Sequence, residues 1–394
     1  MPMSDSSPPL AGVTIVDLGR VLAAPFCTSV LAHMGARVIK VERPGTGDDS
    51  RAYGPFKGGT SIYFACVNCD KESIALDLKR PADRTIFESM LDRADVLVEN
   101  FSPGVMERLG YGWGTLHARW PKLIVGALSG FGQHGPMSNK PAYDIIVQAL
   151  GGLMSLTGHP GGPPTRVGAS VGDLVAGLYL ALGISNALYR RTRTGEGCMI
   201  DVAMLDCQIA FLEAAIASCS ATGVVPGPVG TRHPSIAPFQ AFDTADHPIV
   251  IGAGNDTLFR TLCGAIGRDD LAADPRFASN SSRFAHVDDL QREIERTLRT
   301  KPAAHWLAAL DAAAVPSAPI QNVAQAMSMP QAQSRAMVLP VECPSIGTFK
   351  VPGNPVKISD VPERGMRKPP PALDADRDRI LAELVTSPRM HPSH

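Results

Sequence analysis

The sequence predicts an α/β protein, a large doubly wound domain with an open, Rossmann-like parallel sheet plus a smaller α+β domain. Two observations carry that prediction. Short runs dense in Val, Ile and Leu alternate with helical segments over the first two hundred residues. A Gly/Pro-rich stretch, GVVPGPVGTRHPSIAPF (223–239), then changes the texture of the chain. At 394 residues there is room for two or three domains of roughly 150 residues each.

In order, VTIVDLG (13–19), ARVIKVE (36–42), SIALDL (73–78), VLVENF (96–101) and LIVGALS (123–129) read as strands buried on both faces. Helices are expected between them at 25–34, at 81–93, where Pro81 suits a first turn, and at 104–118. From 143 to 219 long apolar helices are interrupted by the strand-like CMIDVAML (198–205). FQAFDTADHPIVIGAG reads as a hairpin around Ala245 and Asp246, followed by helices at 256–266, 286–299 and 303–314. These patterns divide the chain into a large domain (1–225), a small one (226–328) and a β-like C-terminal segment (329–394) expected to return to the large domain.

Composition narrows the function. Lys plus Arg (37) balances Asp plus Glu (38), which removes a chain-wide charge argument for nucleic-acid or membrane partners. MPMSDSSPPLAG at the N-terminus has neither signal- nor transit-peptide composition, and a cytoplasmic location is expected. The eight cysteines are scattered, and CVNC (66–69) lacks the second pair or histidines that zinc needs, so no metal is expected. The first βα turn, DLGRVLAAP, carries no G-x-G-x-x-G, and the chain has neither a G-x-x-x-x-G-K-[ST] loop nor a G-x-S-x-G elbow. The open sheet is predicted, but its commonest ligands are not.

In an open parallel sheet ligands meet the loops after the strands, here GRVLAAP, ERPGTGDDSR, KRPADR, NFSPG and SGFGQHG. A further carboxylate stands out: in TRVGASVGDLVAGLYLAL (165–182) Asp173 is the only charge between Arg166 and Arg190. On spacing alone it reads as a helix N-cap as readily as a catalytic group.

Eight segments in order change that balance. DLGRVLAAPFCTSVLAHMGARVIKVERPGTGDDSR, SIALDLK, VENFSPGVMERLG, PAYDIIVQALGGLMSLTG, VGDLVAG, TGEGCMIDVAMLD, GTRHPSIAPFQAF and VPGNPVKISD together resemble the class III coenzyme A transferases, over about residues 10 to 370. The resemblance implies an interlocked homodimer, CoA bound by the large domain and an active site between domains. It also implies that Asp173 is the nucleophile, forming an aspartyl anhydride and then an aspartyl-CoA thioester. Small neighbours Ser170, Gly172 and Gly177 would let the thioester approach. No tightly bound cofactor is implied, CoA thioester being a substrate.

By the same resemblance Val21, Leu22, Ala23, Arg43, Leu76, Lys79, Asn100, Phe101, Arg108 and Tyr143 approach CoA. Tyr143 also faces the acyl group, alongside substrate residues Arg232, His233, Gly252 and Gly254, the last two in a glycine loop, GAGN (252–255). From residue type alone, Arg43 reads equally as a solvated strand-end charge, Arg108 as an exposed helical arginine and TRHP as a stiffened crossover. An α-methylacyl-CoA racemase shares many of these segments, but AYD (142–144) lacks the histidine that racemases carry there. A CoA-binding module without activity would leave Asp173 a cap. The wording GTRHPSIAPF and PAYDIIVQA resembles members that use succinyl-CoA and a short dicarboxylic acid, with itaconate the expected acceptor. Arg51, Arg166 and Arg232 are candidates for its distal carboxylate, Arg232 being favoured.

Overall fold

The computed structural model describes residues 6–386, which form two compact units. Of these, the larger comprises 6–154, 166–224 and 330–386; the smaller comprises 155–165 and 225–329.

The larger unit is built on six parallel strands, β1 (Thr14–Asp17), β2 (Arg37–Glu42), β3 (Lys71–Ala75), β4 (Val96–Glu99), β5 (Ile124–Ser129) and β6 (Met199–Ala203). Their spatial order is β3-β2-β1-β4-β5-β6. The direction of winding reverses between β1 and β4, which opens a crevice at the carboxyl ends of those two strands. Side chains alternate across the sheet as the strand period requires: Ile15, Val96 and Val98 point to one core, Val16 and Leu97 to the other.

Helices cover both faces. The first core takes α1 (Ala23–His33) and two helices further along the chain, Asp144–Leu150 and Val171–Thr194; the second takes α3 (Pro81–Leu91), α4 (Val105–Arg108) and α5 (Trp113–Arg119). A short α2 (Ile62–Asn68) precedes β3. The single helix expected over 104–118 is two, because Gly110 takes φ +84° and Gly112 begins a new helix. Two of the expected strands also stop early, at Ala75 and Glu99, leaving Leu76 to Leu78 and Asn100 to Phe101 in the loops.

After α6 (Asp144–Leu150), α7 (Val171–Thr194) is the longest helix described. It is long and apolar enough to cross a membrane by length and composition. Its stripe Ala176, Leu180, Ile184 and Leu188 is instead buried against the sheet. α8 (Met204–Phe211) starts directly at the end of β6, so the apolar run 198–205 divides into strand and helix at Met204, and α9 (Ala214–Thr222) follows. An antiparallel hairpin, Val338–Cys343 with Gly347–Pro352, and a helix, Arg377–Thr386, complete this unit.

The smaller unit has its own sheet, β7 (Phe239–Phe242), β8 (Ile249–Gly252) and β9 (Ser317–Pro319), all antiparallel, with the hairpin where the sequence places it. Its core packs α10 (Asp256–Ala265), α11 (Val287–Leu298) and α12 (Ala303–Ala312) against that sheet through Phe259, Leu262, Ile294, Leu298 and Leu310.

Glu99 closes β4 inside this fold, its carboxyl accepting only the Phe101 N–H (2.7 Å) among the bonds described. Burial, partly offset by that N–H, pushes its pKa up to about 7. The folded protein therefore holds a proton that the unfolded chain releases near 4.5, so this group's contribution to stability is complete below pH 4.5 and lost as pH rises through 7. Glu99→Gln is expected to stabilise the protein at pH 8 by about 1–3 kcal/mol, and by less at pH 5. Urea unfolding at the two pH values checks this; an equal gain at both contradicts the buried proton.

Candidate active site

Asp173 is the third residue of α7, not its cap. The helix begins after Ser170, and the first free N–H, that of Gly172, is taken by Asp144 Oδ1 at 2.8 Å. Asp144 stands at the start of α6 and is itself held by Gln148 Nε2 (2.9 Å) and Arg166 Nη2 (3.1 Å). Gln148 in turn accepts the Val167 N–H at 2.9 Å. Among the described residues, Asp173 accepts no hydrogen bond. Burial and the neighbouring Asp144 anion push its carboxyl up to about 7, and the Arg166 cation offsets part of that rise. The pair thus divides two roles between two carboxylates: Asp144 caps, and Asp173 is left basic and uncommitted.

The glycines beside Asp173 serve packing. A Cβ on Gly172 would lie 2.7 Å from Val147 Cγ2, and one on Gly177 2.7 Å from the Ala23 carbonyl oxygen. The clearance expected for a thioester at these positions is already filled by α6 and α1. Gly177 lies one turn beyond Asp173 on the same face of α7, so the close approach brings the start of α1 beside that face. Tyr63 on α2 is coupled to the site as well: burial, then the Asp173 charge, pushes its hydroxyl up to about 12. Tyr53 meets Tyr63 edge-on, ring centres 5.8 Å apart.

The turn from β1 into α1 is strained. Val21 has φ +65°, a region that costs a β-branched residue about 1–3 kcal/mol. It is pinned from three sides. Asp48 accepts the Val21 N–H (3.0 and 3.2 Å), the Ser50 N–H (2.9 Å) and Lys40 Nζ (2.8 Å). Lys40 also donates to the Gly19 carbonyl at 2.6 Å. The Asn100 amide, from the end of β4, clamps the Arg20 backbone, accepting its N–H (2.8 Å) and donating to its carbonyl (2.9 Å). Burial alone would raise Asp48, but Lys40 and the two N–H groups hold it at about 2. Beneath lies a second buried pair, Lys71 with Asp17 (3.1 Å), in which Lys71 is pushed down to about 8 by burial that Asp17 only partly offsets.

Next to this turn a cleft of about 160 Å³ opens at the carboxyl edge of the sheet. Arg43, Leu76, Lys79 and Phe101 line it together with Gly19 and Arg20, so four of the residues expected near CoA meet there. Val21, Leu22 and Ala23 follow directly from the lining; the side chains of Leu22 and Ala23 are buried, and what they offer a ligand is backbone. Asn100 acts through the Arg20 backbone. Arg108 is outside the lining, its guanidinium exposed over Gly104. Tyr143, just before α6, is 68 % exposed.

In the smaller unit, the structure corrects the favoured arginine. Arg232 is committed to Asp288 (2.6 Å) and Gln291 (2.5 Å). His233 accepts the Ser235 N–H at 3.1 Å and meets the Phe239 ring edge-on. The GAGN segment is a tied turn. Gly252 ends β8 against the Phe239 ring, Ala253 donates its N–H to the Pro238 carbonyl (2.9 Å) and Asn255 caps α10; only Gly254 is open. Arg51 is likewise committed, to Glu42 through two 2.7 Å bonds. Of the three arginines weighed for a distal carboxylate, Arg166 is the one beside Asp173.

Asp144, Lys40 and Asp48 escaped the sequence reading. One signal was available: Lys40 interrupts ARVIKVE, and a charge inside a strand buried on both faces needs a partner.

A desolvated carboxylate on α7, a cleft at the strand ends and a backbone turn beside them suit acyl-group transfer, and residues 10–377 match the model of CoA-transferase family III, to which this chain belongs. The acetyl-CoA:oxalate CoA-transferase of Acetobacter aceti is 48% identical over 378 residues, 96% of either chain. The human succinyl-CoA:glutarate CoA-transferase is 37% identical, covering 98% of this chain and 88% of that one. The crystal structure of a CaiB/BaiF family protein from Brucella suis superposes with a TM-score of 0.85 at 35% identity, over 95% of this chain and 99% of that one.

The electrostatics make a test independent of catalysis. With carboxyl-labelled aspartate, NMR is expected to show Asp173 titrating near 7, its midpoint rising further in Arg166→Gln and falling in Asp144→Asn. A midpoint near 4 in the parent would refute the desolvated carboxylate.

Proposed function

We propose that this CoA transferase moves CoA from an acyl-CoA donor to a short dicarboxylic acid, with Asp173 as nucleophile. The observation that carries the reading is that Asp173 stands uncapped and raised to about 7 beside the turn into α1, while Asp144 does the capping. A carboxylate short of hydrogen bonds is more basic and so more nucleophilic at neutral pH.

The chemistry closes without an external base. An Asp173 oxygen attacks the thioester carbonyl; the C–S bond breaks, giving an acyl-aspartyl anhydride and CoA thiolate. The thiolate attacks the aspartyl carbon and releases the donor acid as its carboxylate. The acceptor carboxylate attacks the resulting aspartyl-CoA thioester, forming a second anhydride and freeing the thiolate again. That thiolate then attacks the acceptor's acyl carbon, producing acceptor-CoA and restoring Asp173. Each step exchanges one acyl bond for another, so the CoA thioester is consumed as substrate and needs no tightly bound cofactor.

For the acceptor, the named relatives act on oxalate and glutarate, both dicarboxylates. Arg166 supports the same class here: its guanidinium is half-exposed and reaches both Asp144 and the Ser170 hydroxyl (3.4 Å) at the start of α7. A cation so close to the nucleophile suits a second carboxylate only a few atoms from the first. We rank oxalate ahead of the C5 acid itaconate, with succinyl-CoA or a shorter acyl-CoA as donor.

We further propose that the chain works as a homodimer. The outer face of α7 presents Leu178 (49 % exposed), Leu182 (57 %) and Tyr189 (68 %), continued by Ile145 and Ile146 of α6 and Phe211 of α8. So much contiguous apolar surface fits a second copy of the chain. Leu182→Glu with Tyr189→Glu is expected to yield monomers in light scattering; an unchanged dimer would place the interface elsewhere.

The decisive experiment is an acceptor panel with succinyl-CoA and acetyl-CoA, run on the parent and on Asp173→Ala. Transfer should fall by at least about a thousandfold in the variant. Thermal stability should move little, because the cap is Asp144. Dicarboxylates should outcompete monocarboxylates. Transfer within tenfold of the parent would remove Asp173 from the mechanism, and proton exchange at the α-carbon without an acceptor would favour a racemase.

A further inference from the structure

The buried pair Lys40–Asp48 is among the residues lining the strand-end cleft, and it is joined to the left-handed backbone at Val21 (φ +65°). Lys40 stands opposite Asp17 in the β1–β2 register, and its ammonium spans from the Gly19 carbonyl (2.6 Å) to Asp48 (2.8 Å). Asp48 also accepts the Val21 and Ser50 N–H groups and the Ser50 hydroxyl. The two side chains are fully buried. They therefore close a ring: strand β2, the Gly19 carbonyl, the left-handed Val21, and back to β2 through Asp48.

We propose that Lys40 and Asp48 are positioning residues that hold Val21 in its left-handed conformation, and so aim the Gly19–Ala23 turn at the reacting carboxylate of Asp173. This rests on the reading of Asp173 as nucleophile. The geometric link is short. Ala23 closes the turn, and its carbonyl occupies the space where Gly177 would carry a Cβ, one helical turn from Asp173 on the same face. If Val21 relaxed to an ordinary φ, the peptide planes on either side would rotate and Leu22 and Ala23 would present different backbone atoms to that face. Glycine adopts φ +65° without penalty, so the pair's importance should shrink when position 21 carries no side chain.

The test is a double-mutant cycle on the full-length enzyme, comparing the parent, Asp48→Asn, Val21→Gly and the combination. Asp48→Asn keeps an acceptor of the same shape and removes the charge that anchors Lys40. Single-turnover formation of the Asp173-linked CoA thioester should slow by about tenfold to a hundredfold in Asp48→Asn, with KM for acyl-CoA changing less than threefold. In the Val21→Gly background the same substitution should cost less than threefold. Thermal midpoints are recorded for all four proteins. If Asp48→Asn lowers the midpoint but leaves the single-turnover rate unchanged, the pair is a fold staple and the proposal fails. An equal rate loss in both backgrounds means the coupling does not run through Val21, and the proposal also fails. Should Asp48→Asn not fold, Ser50→Ala, which removes the hydroxyl bonded to Asp48 (2.8 Å), reads the same coupling more gently. If the parent itself forms no thioester on Asp173, the nucleophile assignment falls first, and that outcome is visible before any variant is compared.

Discussion

Four charges buried around β1 constrain the larger unit: Asp17, at the end of β1, with Lys71, the first residue of β3, and Lys40 of β2 with Asp48 of the loop that follows. None can be left unpaired in a dry interior, where an uncompensated charge costs several kcal/mol. The network consequently dictates where the Gly19–Ala23 turn lies, where α1 begins and how closely α1 approaches α7. Thr28 extends it into α1, donating its hydroxyl to Asp17 at 2.6 Å. Such pairs add little net stability over apolar replacements, and their value lies in admitting a single geometry.

A second division of labour operates at the head of α7. A helix start needs an acceptor for its free N–H groups, and an acidic residue in the first turn would ordinarily supply it. Here a neighbouring helix supplies it from Asp144, and the desolvation that makes Asp173 basic is not relieved by the backbone. The raised pKa follows from that arrangement of two helices, burial contributing most and the Asp144 charge next.

Much of the fold was legible because buried parallel strands are apolar on both faces, so the six-stranded sheet announces itself as dense runs. What was not legible depends on contacts between distant segments. Gly110 and Gly112 split the helix expected over 104–118, a local signal that apolar spacing overrode. Arg232 looked available in sequence because its partners, Asp288 and Gln291, lie more than fifty residues away. Asn100 matched a ligand-lining segment, yet its amide is used up on the Arg20 backbone. Family resemblance located the Asp173 region; only the folded structure separates the residue that caps from the residue left unbonded.

The contact at Gly177 bears on how this active site could be reshaped. With a carbonyl oxygen already 2.7 Å from where a methyl would go, the wall formed by α1 and α7 has no slack, and enlarging any side chain there would force the helices apart and disturb the ring of charges beneath. Room for a longer or bulkier acid is better sought among Tyr63, which feels the Asp173 charge, its neighbour Tyr53 and the exposed Tyr143, whose rings are carried on a short helix and loops. A directed library aimed at new acceptors would do well to leave the glycines untouched and vary the three tyrosines.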